Sequence, residues 1–337
     1  MNIVYSSSDM YAECTGISIW SLFENNKDIN ELNVYILSSD ISNSNENKLR
    51  AVAEKFNRKL NIIDAKQDFI DEAEKFDLPL MRGAYNTYSR ICLNKWFSNL
   101  EKVLVIDSDT LICGSVKEFW DTDLEGKLIG AVPEVAMYGK FNKIEDPSIL
   151  ENVDTYYNMG ICLVNLKEWR DKDIDLYMLK KIKEETSQFR VADQSIINKY
   201  LNPYIKRVAL KYNYYSVVHD VKYSTIQRIF YKKEVFQEQE FDDAKNDARI
   251  IHYFGHQFER PWFRKNAAYR KKDYLKVRNR TPWSNEKMRE WKKSGNFVID
   301  IYDNISYFLL YCGARDICLK FRYIYGQKIK GILKMGR

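Results

Sequence analysis

Short apolar runs alternate with segments of helical period in the first part of the chain. Apolar runs at residues 3–5, 32–37 and 60–63 each end in polar residues, and they predict three strands. Residues 11–24 and 43–56 carry apolar side chains at helical spacing, which predicts two helices between those strands. A β-α-β-α-β order favours right-handed crossovers, so we predict an α/β domain with a mainly parallel sheet.

The same alternation continues further along the chain. Four more runs of strand character predict strands at 103–106, 128–132, 156–166 and 250–253. Helices are predicted at residues 87–96, 116–120, 173–185 and from residue 192 onward. Residues 137–154 are polar and lack any period, and a loop of this length inside a domain is usually functional. We predict that they form a lid.

The apolar run at residues 103–106 leads directly into Asp107-Ser108-Asp109. Ligands of open α/β sheets bind outside the carboxyl ends of such strands. In an extended segment the two acids point to the same side, about 6–7 Å apart. Two carboxylates placed in this way can share a divalent ion that keeps open positions for phosphate oxygens. The alternative is a strand that ends in an ordinary polar turn, where Asp and Ser are common.

The net charge of +6 is concentrated at the carboxyl end of the chain. Residues 315–337 carry seven Lys or Arg against one Asp, so the remainder of the chain is neutral, which argues against a nucleic-acid binder. The six cysteines show no metal-type spacing and indicate buried thiols of a cytosolic protein. The first residues do not resemble a signal peptide, and no apolar run has the length of a membrane span.

Seven segments occur together in one order. They are IVYSSSDMY at 3–11, TYSRI at 87–91, VIDSD at 105–109, FWDTDL at 119–124, YNMGICLVNLKEWR at 157–170, ADQSIIN at 192–198 and IIHYFGHQFERPW at 250–262. Over about residues 1–265 this series resembles glycosyltransferase family 8, the retaining transferases that include bacterial lipopolysaccharide galactosyl- and glucosyltransferases and glycogenin. The resemblance implies a GT-A fold, which is a Rossmann-like nucleotide-sugar-binding domain, together with a UDP-sugar donor and Mn²⁺.

The resemblance identifies Asp107, Asp109 and His252 as metal ligands. Two carboxylates and an imidazole suit Mn²⁺ better than Mg²⁺, which prefers oxygen ligands alone, although Mg²⁺ stays open. The alternative for His252 is a histidine that is satisfied within the core.

The resemblance also implies a set of donor-binding residues. They are Ser8, Asp9, Tyr11, Arg90, Ser108, Glu134, Asn158, Gly255 and Arg260. Tyr11 is expected to stack on uracil, and Arg90 is expected to hold the donor sugar and diphosphate. The chain departs from the family at two positions, because Ser8 replaces the commoner acid and Arg260 replaces a lysine that contacts the phosphates.

Asp193 and Gln194 resemble the residues on either side of the anomeric carbon. In a double displacement Asp193 is the better nucleophile, since an amide is a poor one. In a same-face attack the carbonyl of Gln194 need only stabilise positive charge, and we favour this second mechanism. The alternative for Asp193 is an ordinary helix N-cap.

The expected function is transfer of galactose or glucose from a UDP-sugar to a glycan hydroxyl, in the synthesis of a cell-surface or lipopolysaccharide-type glycan. Two other classes stay open. A metal-dependent nucleotidyltransferase also uses acids at strand ends, but such an enzyme normally has a Gly-rich phosphate loop where this chain has Ser6-Ser7-Ser8. A non-catalytic nucleotide-sugar-binding protein would not need the complete set of metal ligands.

We expect three parts: a catalytic domain at 1–265, a basic helical connection at 266–300 and a basic amphipathic tail at 301–337. A tail that mixes bulky apolar and basic residues without spanning length is typical of a segment lying in the membrane interface. The expected location is therefore cytoplasmic, at the inner face of the membrane, near a glycan or lipid-linked glycan acceptor. The alternative is a C-terminal helix that packs on the catalytic domain.

Overall fold

The computed structural model describes residues 1–78, 88–134, 149, 153–184, 192–230 and 235–335. Ten strands lie within this part of the chain. They are β1 (Asn2–Ser7), β2 (Asn33–Ser38), β3 (Leu60–Asp64), β4 (Lys102–Ile106), β5 (Thr110–Ile112), β6 (Ile129–Pro133), β7 (Tyr157–Asn165), β8 (Ile205–Arg207), β9 (Tyr214–Tyr215) and β10 (Ile250–His252).

Seven of these strands form the central sheet in the order β3-β2-β1-β4-β7-β6-β8. Every strand runs in the same direction except β7, which is antiparallel to both of its neighbours. A smaller sheet has the order β5-β10-β9. The prediction of an α/β domain with a mainly parallel sheet is confirmed.

Thirteen α-helices lie within the described residues. They are α1 (Ala12–Asn25), α2 (Asn43–Glu54), α3 (Lys66–Phe76), α4 (Leu93–Trp96), α5 (Lys117–Trp120), α6 (Leu166–Asp171), α7 (Ile174–Glu184), α8 (Ala192–Leu201), α9 (Tyr223–Phe230), α10 (Glu238–Asn246), α11 (Lys271–Arg278), α12 (Phe297–Tyr311) and α13 (Arg315–Met335). The strands β1, β4 and β7 are buried along nearly their whole length, which explains their continuous apolar sequences.

The helix predicted at 87–96 is wrong for most of its length. Only Leu93–Trp96 is helical, and the preceding described residues form turns. These turns direct the side chain of Arg90 into the interior, where two carboxylates bind it. The predicted lid at 137–154 lies almost entirely outside the described residues.

The C-terminal segment, which we define as residues 267–335, packs against the domain. Its predicted helical connection at 266–300 is helical only in α11 and in the start of α12, and the boundary at 301 falls inside α12. Cys318 of α13 is buried, and Arg322 of α13 donates to Glu259 at 2.8 Å. The first half of α13 therefore packs on the domain, as in the alternative stated for the tail. No helix in the described part of the chain is both long and apolar enough to cross a membrane.

Candidate active site

The three predicted metal ligands meet where two strands end. Asp107 and Asp109 follow β4 directly, and His252 is the last residue of β10. Because β10 pairs with β5, His252 stands opposite Thr110. The Nε2 atom of His252 lies 3.1 Å from Oδ1 of Asp109 and 3.7 Å from Oδ2 of Asp107. One ligand atom from each residue lies within 4.8 Å of the other two.

A chain of buried amides orients the imidazole. The Nδ1 atom of His252 is 3.0 Å from Oδ1 of Asn213, and Nδ2 of Asn213 donates to Oδ1 of Asn158 at 2.8 Å. Asn158 in turn donates to Oε2 of Glu134 at 2.6 Å. When Nδ1–H donates to Asn213, Nε2 faces the carboxylates as a potential ligand atom.

Asn213 is a site residue that sequence reasoning missed. It is fully buried, between Tyr212 and Tyr214, which are also buried. A single amide inside an aromatic run is the sequence feature that could have identified it, since a buried amide needs hydrogen-bond partners.

The three predicted ligands shift the pKa values of one another. Burial by itself raises the pKa of a carboxyl group and lowers that of an imidazole. At Asp109 the attraction of His252 outweighs burial and lowers the pKa of the carboxyl group. At His252 the carboxylates, Asp109 above all, outweigh burial and raise the pKa of the imidazole. At Asp107 burial outweighs the attraction of Arg90, so the pKa of that carboxyl group is raised.

Arg90 connects this group to Asp193. Its Nη1 donates to Oδ2 of Asp193 at 2.8 Å, and its Nη2 donates to Asp107. Burial opposes the charge, but the carboxylates of Asp107 and Asp193 outweigh it and raise the pKa of the guanidinium. The Nε atom of Arg90 is buried and has no hydrogen-bond partner among the described residues. A fixed positive charge with one unused donor therefore lies between the two acids.

Asp193 and Gln194 lie in the first turn of α8. The Oδ1 atom of Asp193 accepts from the backbone N–H of Gln194 at 2.9 Å, and burial raises the pKa of the Asp193 carboxyl group. The Oε1 atom of Gln194 accepts from the backbone N–H of Met159 in β7 at 2.9 Å. Because α8 begins at Ala192, Asp193 is inside the helix and is not its N-cap.

Gly160 allows the side chains of Asp107 and His252 to approach the sheet. A Cβ atom at this position would lie 2.5 Å from Cε1 of His252 and 2.6 Å from Oδ2 of Asp107. Any larger residue would therefore displace the side chains of both His252 and Asp107. The backbone carbonyl of Gly160 also accepts from the N–H of Asp107 at 2.7 Å.

Tyr11, Arg260 and Trp262 lie together on a second side of the site. The rings of Tyr11 and Trp262 meet edge to face with centroids 6.5 Å apart. The guanidinium of Arg260 lies 5.6 Å from the Trp262 ring and is close enough to Asp109 to help lower the pKa of that carboxyl group. The Nε atom of Arg260 is buried, and in the described part of the chain it finds no hydrogen-bond partner.

Ser8 and Asp9 build the loop that follows β1. The backbone carbonyl of Ser8 accepts from the N–H of Tyr11 at 2.9 Å. The Oδ1 atom of Asp9 accepts from the N–H of Ser42 and from Nδ2 of Asn45, each at 2.8 Å. These bonds lower the pKa of the Asp9 carboxyl group.

Ser108 and Gly255 are placed differently from the other predicted donor residues. The Ser108 hydroxyl accepts from Thr15 at 2.8 Å and donates to the Ser6 carbonyl at 3.3 Å, so both of its bonds are internal. Gly255 follows β10 with a φ of +117°, a conformation that favours glycine. A Cβ atom there would lie 2.9 Å from Glu259.

The residues at the strand ends fit a divalent cation. They supply two carboxylates and one imidazole, which binds a metal in its neutral form, at distances that a single ion spans. Asn213 fixes the orientation of the imidazole. The Asp107 side chain is 36% exposed, which leaves a side of the site open for a ligand. A cation bound here would compete with a proton for Nε2 of His252.

The site combines an acid pair at the end of β4 in the mainly parallel sheet with a histidine at the end of β10 in the smaller sheet. The family model of glycosyl transferase family 8 matches residues 2–266. The chain belongs to this family, and it is a glycosyltransferase. The predicted family and fold are confirmed.

Three relatives illustrate the similarity. A putative glycosyltransferase of Haemophilus influenzae is 27% identical over 64% of this chain and 63% of its own length. A lipopolysaccharide 1,2-glucosyltransferase of Escherichia coli K12 is 24% identical over 87% of this chain and 81% of its own length. The solved structure of the galactosyltransferase LgtC with donor and acceptor sugar analogs has a TM-score of 0.65 at 22% identity, covering 85% of this chain and 100% of that one. At this identity the structural similarity shows the fold.

Proposed function

We propose that the protein is a hexosyltransferase that moves galactose or glucose from a UDP-sugar to a hydroxyl of a glycan acceptor, with retention of anomeric configuration. The observation that carries this proposal is the buried network that joins the Asp107–Asp109–His252 group to Arg90 and Asp193. The family supports sugar transfer, and the names of the glucosyl- and galactosyltransferase relatives support a hexose. The lipopolysaccharide relatives also favour a role in cell-surface glycan synthesis.

We propose Mn²⁺ as the ion held by Asp107, Asp109 and His252, with Mg²⁺ as the second candidate. When bound, the ion supplies positive charge to the diphosphate of the donor. Arg90 and Arg260 add charge from two sides, and each has a buried Nε donor that is unused among the described residues. These donors suit the oxygens of the departing UDP.

In the proposed reaction the bond from the anomeric carbon to the diphosphate breaks and a bond to the acceptor oxygen forms on the same face. The acceptor proton passes to an oxygen of the leaving UDP. Asp193 is bound by Arg90 at one oxygen and by a backbone N–H at the other, which disfavours attack by this carboxylate. Gln194 keeps a second lone pair on Oε1, which is available to positive charge at the anomeric carbon.

The test is release of UDP from a panel of UDP-sugars, with a glycan acceptor, in the presence of Mn²⁺ or of excess chelator. We expect release from UDP-galactose or UDP-glucose that depends on the added metal. Equal release in chelator would reject the metal assignment, and release from none of the UDP-sugars would reject the function.

We further propose that the protein is cytoplasmic and binds the inner face of the membrane through its C-terminal tail, near a lipid-linked glycan acceptor. Large apolar side chains of α12 recur at intervals of three or four positions and are exposed, namely Phe297, Ile301, Ile305, Phe308 and Tyr311. Together with the basic tail, such a face favours the interface of an anionic membrane.

The membrane proposal is tested with anionic liposomes at several salt concentrations. We expect binding that weakens with salt and that is lost in a full-length variant with Phe297, Phe308 and Tyr311 replaced by Ser. Truncation after Asp300 should also abolish binding. Retained binding by the truncated protein, or no binding by the native protein at low salt, would contradict the proposal.

A further inference from the structure

We propose that Arg289 is a positioning residue of the nucleotide site, where it holds Tyr11 in place to receive the base; this assignment rests on the proposed UDP-sugar function. Arg289 lies beyond residues 2–266, which the family model matches. The C-terminal segment therefore contributes to donor binding as well as packing on the domain.

Two contacts join Arg289 to the loop after β1. Its Nη2 donates to the backbone carbonyl of Met10. The centre of its guanidinium lies 5.7 Å from the centroid of the Tyr11 ring, which is within the range of a cation–π contact. One guanidinium thus holds both the backbone and the side chain of adjacent residues in the loop.

The backbone of Arg289 is itself fixed to the site. Its N–H donates to the carbonyl of Trp262 at 3.2 Å, and its carbonyl accepts from the N–H of Arg264 at 2.8 Å. Trp262 is buried and meets the Tyr11 ring edge to face. Tyr11 therefore contacts both Trp262 and Arg289, and the backbone of Arg289 is hydrogen-bonded to Trp262 and Arg264.

The residues just before Arg289 reach the other end of the same loop. The indole N–H of Trp283 donates to Oδ1 of Asn45 at 3.1 Å, and Nδ2 of Asn45 donates to Asp9 at 2.8 Å. Trp283 is buried. The C-terminal segment thus supports the loop after β1 both at Asp9 and at Tyr11.

This geometry predicts the kind of effect that loss of Arg289 has. Tyr11 is only half-buried, and its orientation depends on the groups that contact its ring. A base that stacks on Tyr11 is bound equally in the ground state and in the transition state, because the base does not react. Loss of Arg289 should therefore weaken nucleotide binding and raise KM while kcat changes little.

The experiment measures UDP affinity by calorimetry with Mn²⁺ present, in full-length proteins. Arg289→Met keeps the aliphatic stem and removes the guanidinium, and Arg289→Lys keeps a charge and a donor. The matched control is Arg264→Met, because Arg264 lies beside Arg289 but pairs with the exposed Glu290 at 2.6 Å. Each Arg289 variant is also combined with Tyr11→Leu to form a double-mutant cycle.

We expect Arg289→Met to weaken UDP binding about tenfold, the scale of one hydrogen bond from a charged group. In the Tyr11→Leu background the same change should cost no more than about twofold, because Arg289 acts through Tyr11. Arg289→Lys should recover part of the loss, and Arg264→Met should bind UDP as the native protein does. If Arg289→Met does not fold, the same cycle with Arg289→Lys should show a smaller loss, about threefold, that is likewise absent without Tyr11.

Two results would overturn the assignment while leaving the proposed function intact. One is native-like UDP affinity in the folded Arg289 variants. The other is an equal loss of affinity in both Tyr11 backgrounds, which would mean that Arg289 acts on the structure in general. Failure of the native protein to bind UDP would reject the proposed function itself, and the role of Arg289 with it.

Discussion

Two regions of the molecule bury charged groups but combine them differently. One is the polar centre, which we define as Asp107, Asp109, His252, Arg90 and Asp193. The other is the surface by which the C-terminal segment contacts the domain. In the C-terminal segment, Arg278 pairs with Glu13 at 2.5 Å, and their side chains are 5% and 11% exposed. In the polar centre, three carboxylates surround Arg90 and His252, and one side stays open. A closed one-to-one pair completes packing between two elements. An unbalanced group of acids beside an opening is suited to receive a cation.

The largest effect is expected at the polar centre. Asp109→Asn removes a charge from the proposed metal ligands and should lower turnover about a thousandfold, a loss comparable to that of a principal electrostatic group in catalysis. UDP release with saturating Mn²⁺ measures this effect.

The fold should survive the same change, because Asn retains the shape of Asp. The thermal midpoint of Asp109→Asn is therefore expected to stay close to that of the native protein. Native-like turnover in this variant would remove the distinction between the two regions, since the acid would then be structural.

For the buried pair of Arg278 and Glu13 we expect a loss of stability without a loss of turnover. Arg278→Met leaves Glu13 buried without its partner, so the free energy of unfolding should fall by about 3–5 kcal/mol. Denaturant unfolding measures this loss, and kcat of the folded fraction should be unchanged. Arg280→Met is the matched control, because Arg280 pairs with Glu24 in a half-exposed position and should cost less than about 1 kcal/mol. Equal losses in the two variants would show that burial does not set the strength of these pairs.

A smaller effect is expected at Asn213, which orients the proposed ligand His252. Asn213→Ala removes the acceptor that orients His252, and loss of such a partner typically lowers metal affinity about 10- to 100-fold. Mn²⁺ titration measures this change, and kcat at saturating metal should recover most of the native value. A variant that binds Mn²⁺ as tightly as the native protein would show that His252 is oriented by other groups.

The sequence predicts the polar centre better than the C-terminal segment for a physical reason. Asp107 and Asp109 follow the buried strand β4, and ligands of open α/β sheets bind outside the carboxyl ends of such strands, so pattern and position give the same answer. His252 ends β10 of the smaller sheet and was predicted through its motif. Asn213 follows no strand of sufficient length to be recognised, and its role depends on tertiary contacts alone. Arg278 and Arg289 look like surface residues of a basic stretch, because nothing local shows that their partners lie more than 250 positions away.

The helix predicted across Arg90 illustrates the same limit. Its local sequence is compatible with a helix, but a helix would compete with the two ion pairs that hold Arg90 in the interior. Ion pairs with residues distant in sequence override weak helical propensity. The arginine itself was predicted through its motif, although the backbone around it was not.

One histidine near each of the two regions extends the comparison to the effect of pH. His252 in the polar centre has its pKa raised by carboxylates. His219 stacks on Tyr269 of the C-terminal segment, and its Nδ1 is buried without a hydrogen-bond partner in the described residues. Burial lowers the pKa of His219 to about 4, even though Asp220 lies 2.9 Å away. Three cations, Arg315, Lys245 and Arg270, also act against its charge.

A histidine with a lowered pKa makes the folded state sensitive to acid. Unfolding returns His219 to its ordinary value near 6.5, so the unfolded chain takes up a proton that the folded protein refuses. The stability held by neutral His219 is complete above pH 6.5 and is lost as the pH falls toward 4. The variant His219→Gln cannot take up this proton, so its free energy of unfolding should fall less over that interval, by about 1–2 kcal/mol after solvent screening. Denaturant unfolding of both proteins at pH 7.5, 6, 5 and 4.5 measures the difference, and parallel curves would show that His219 keeps an ordinary pKa at this contact.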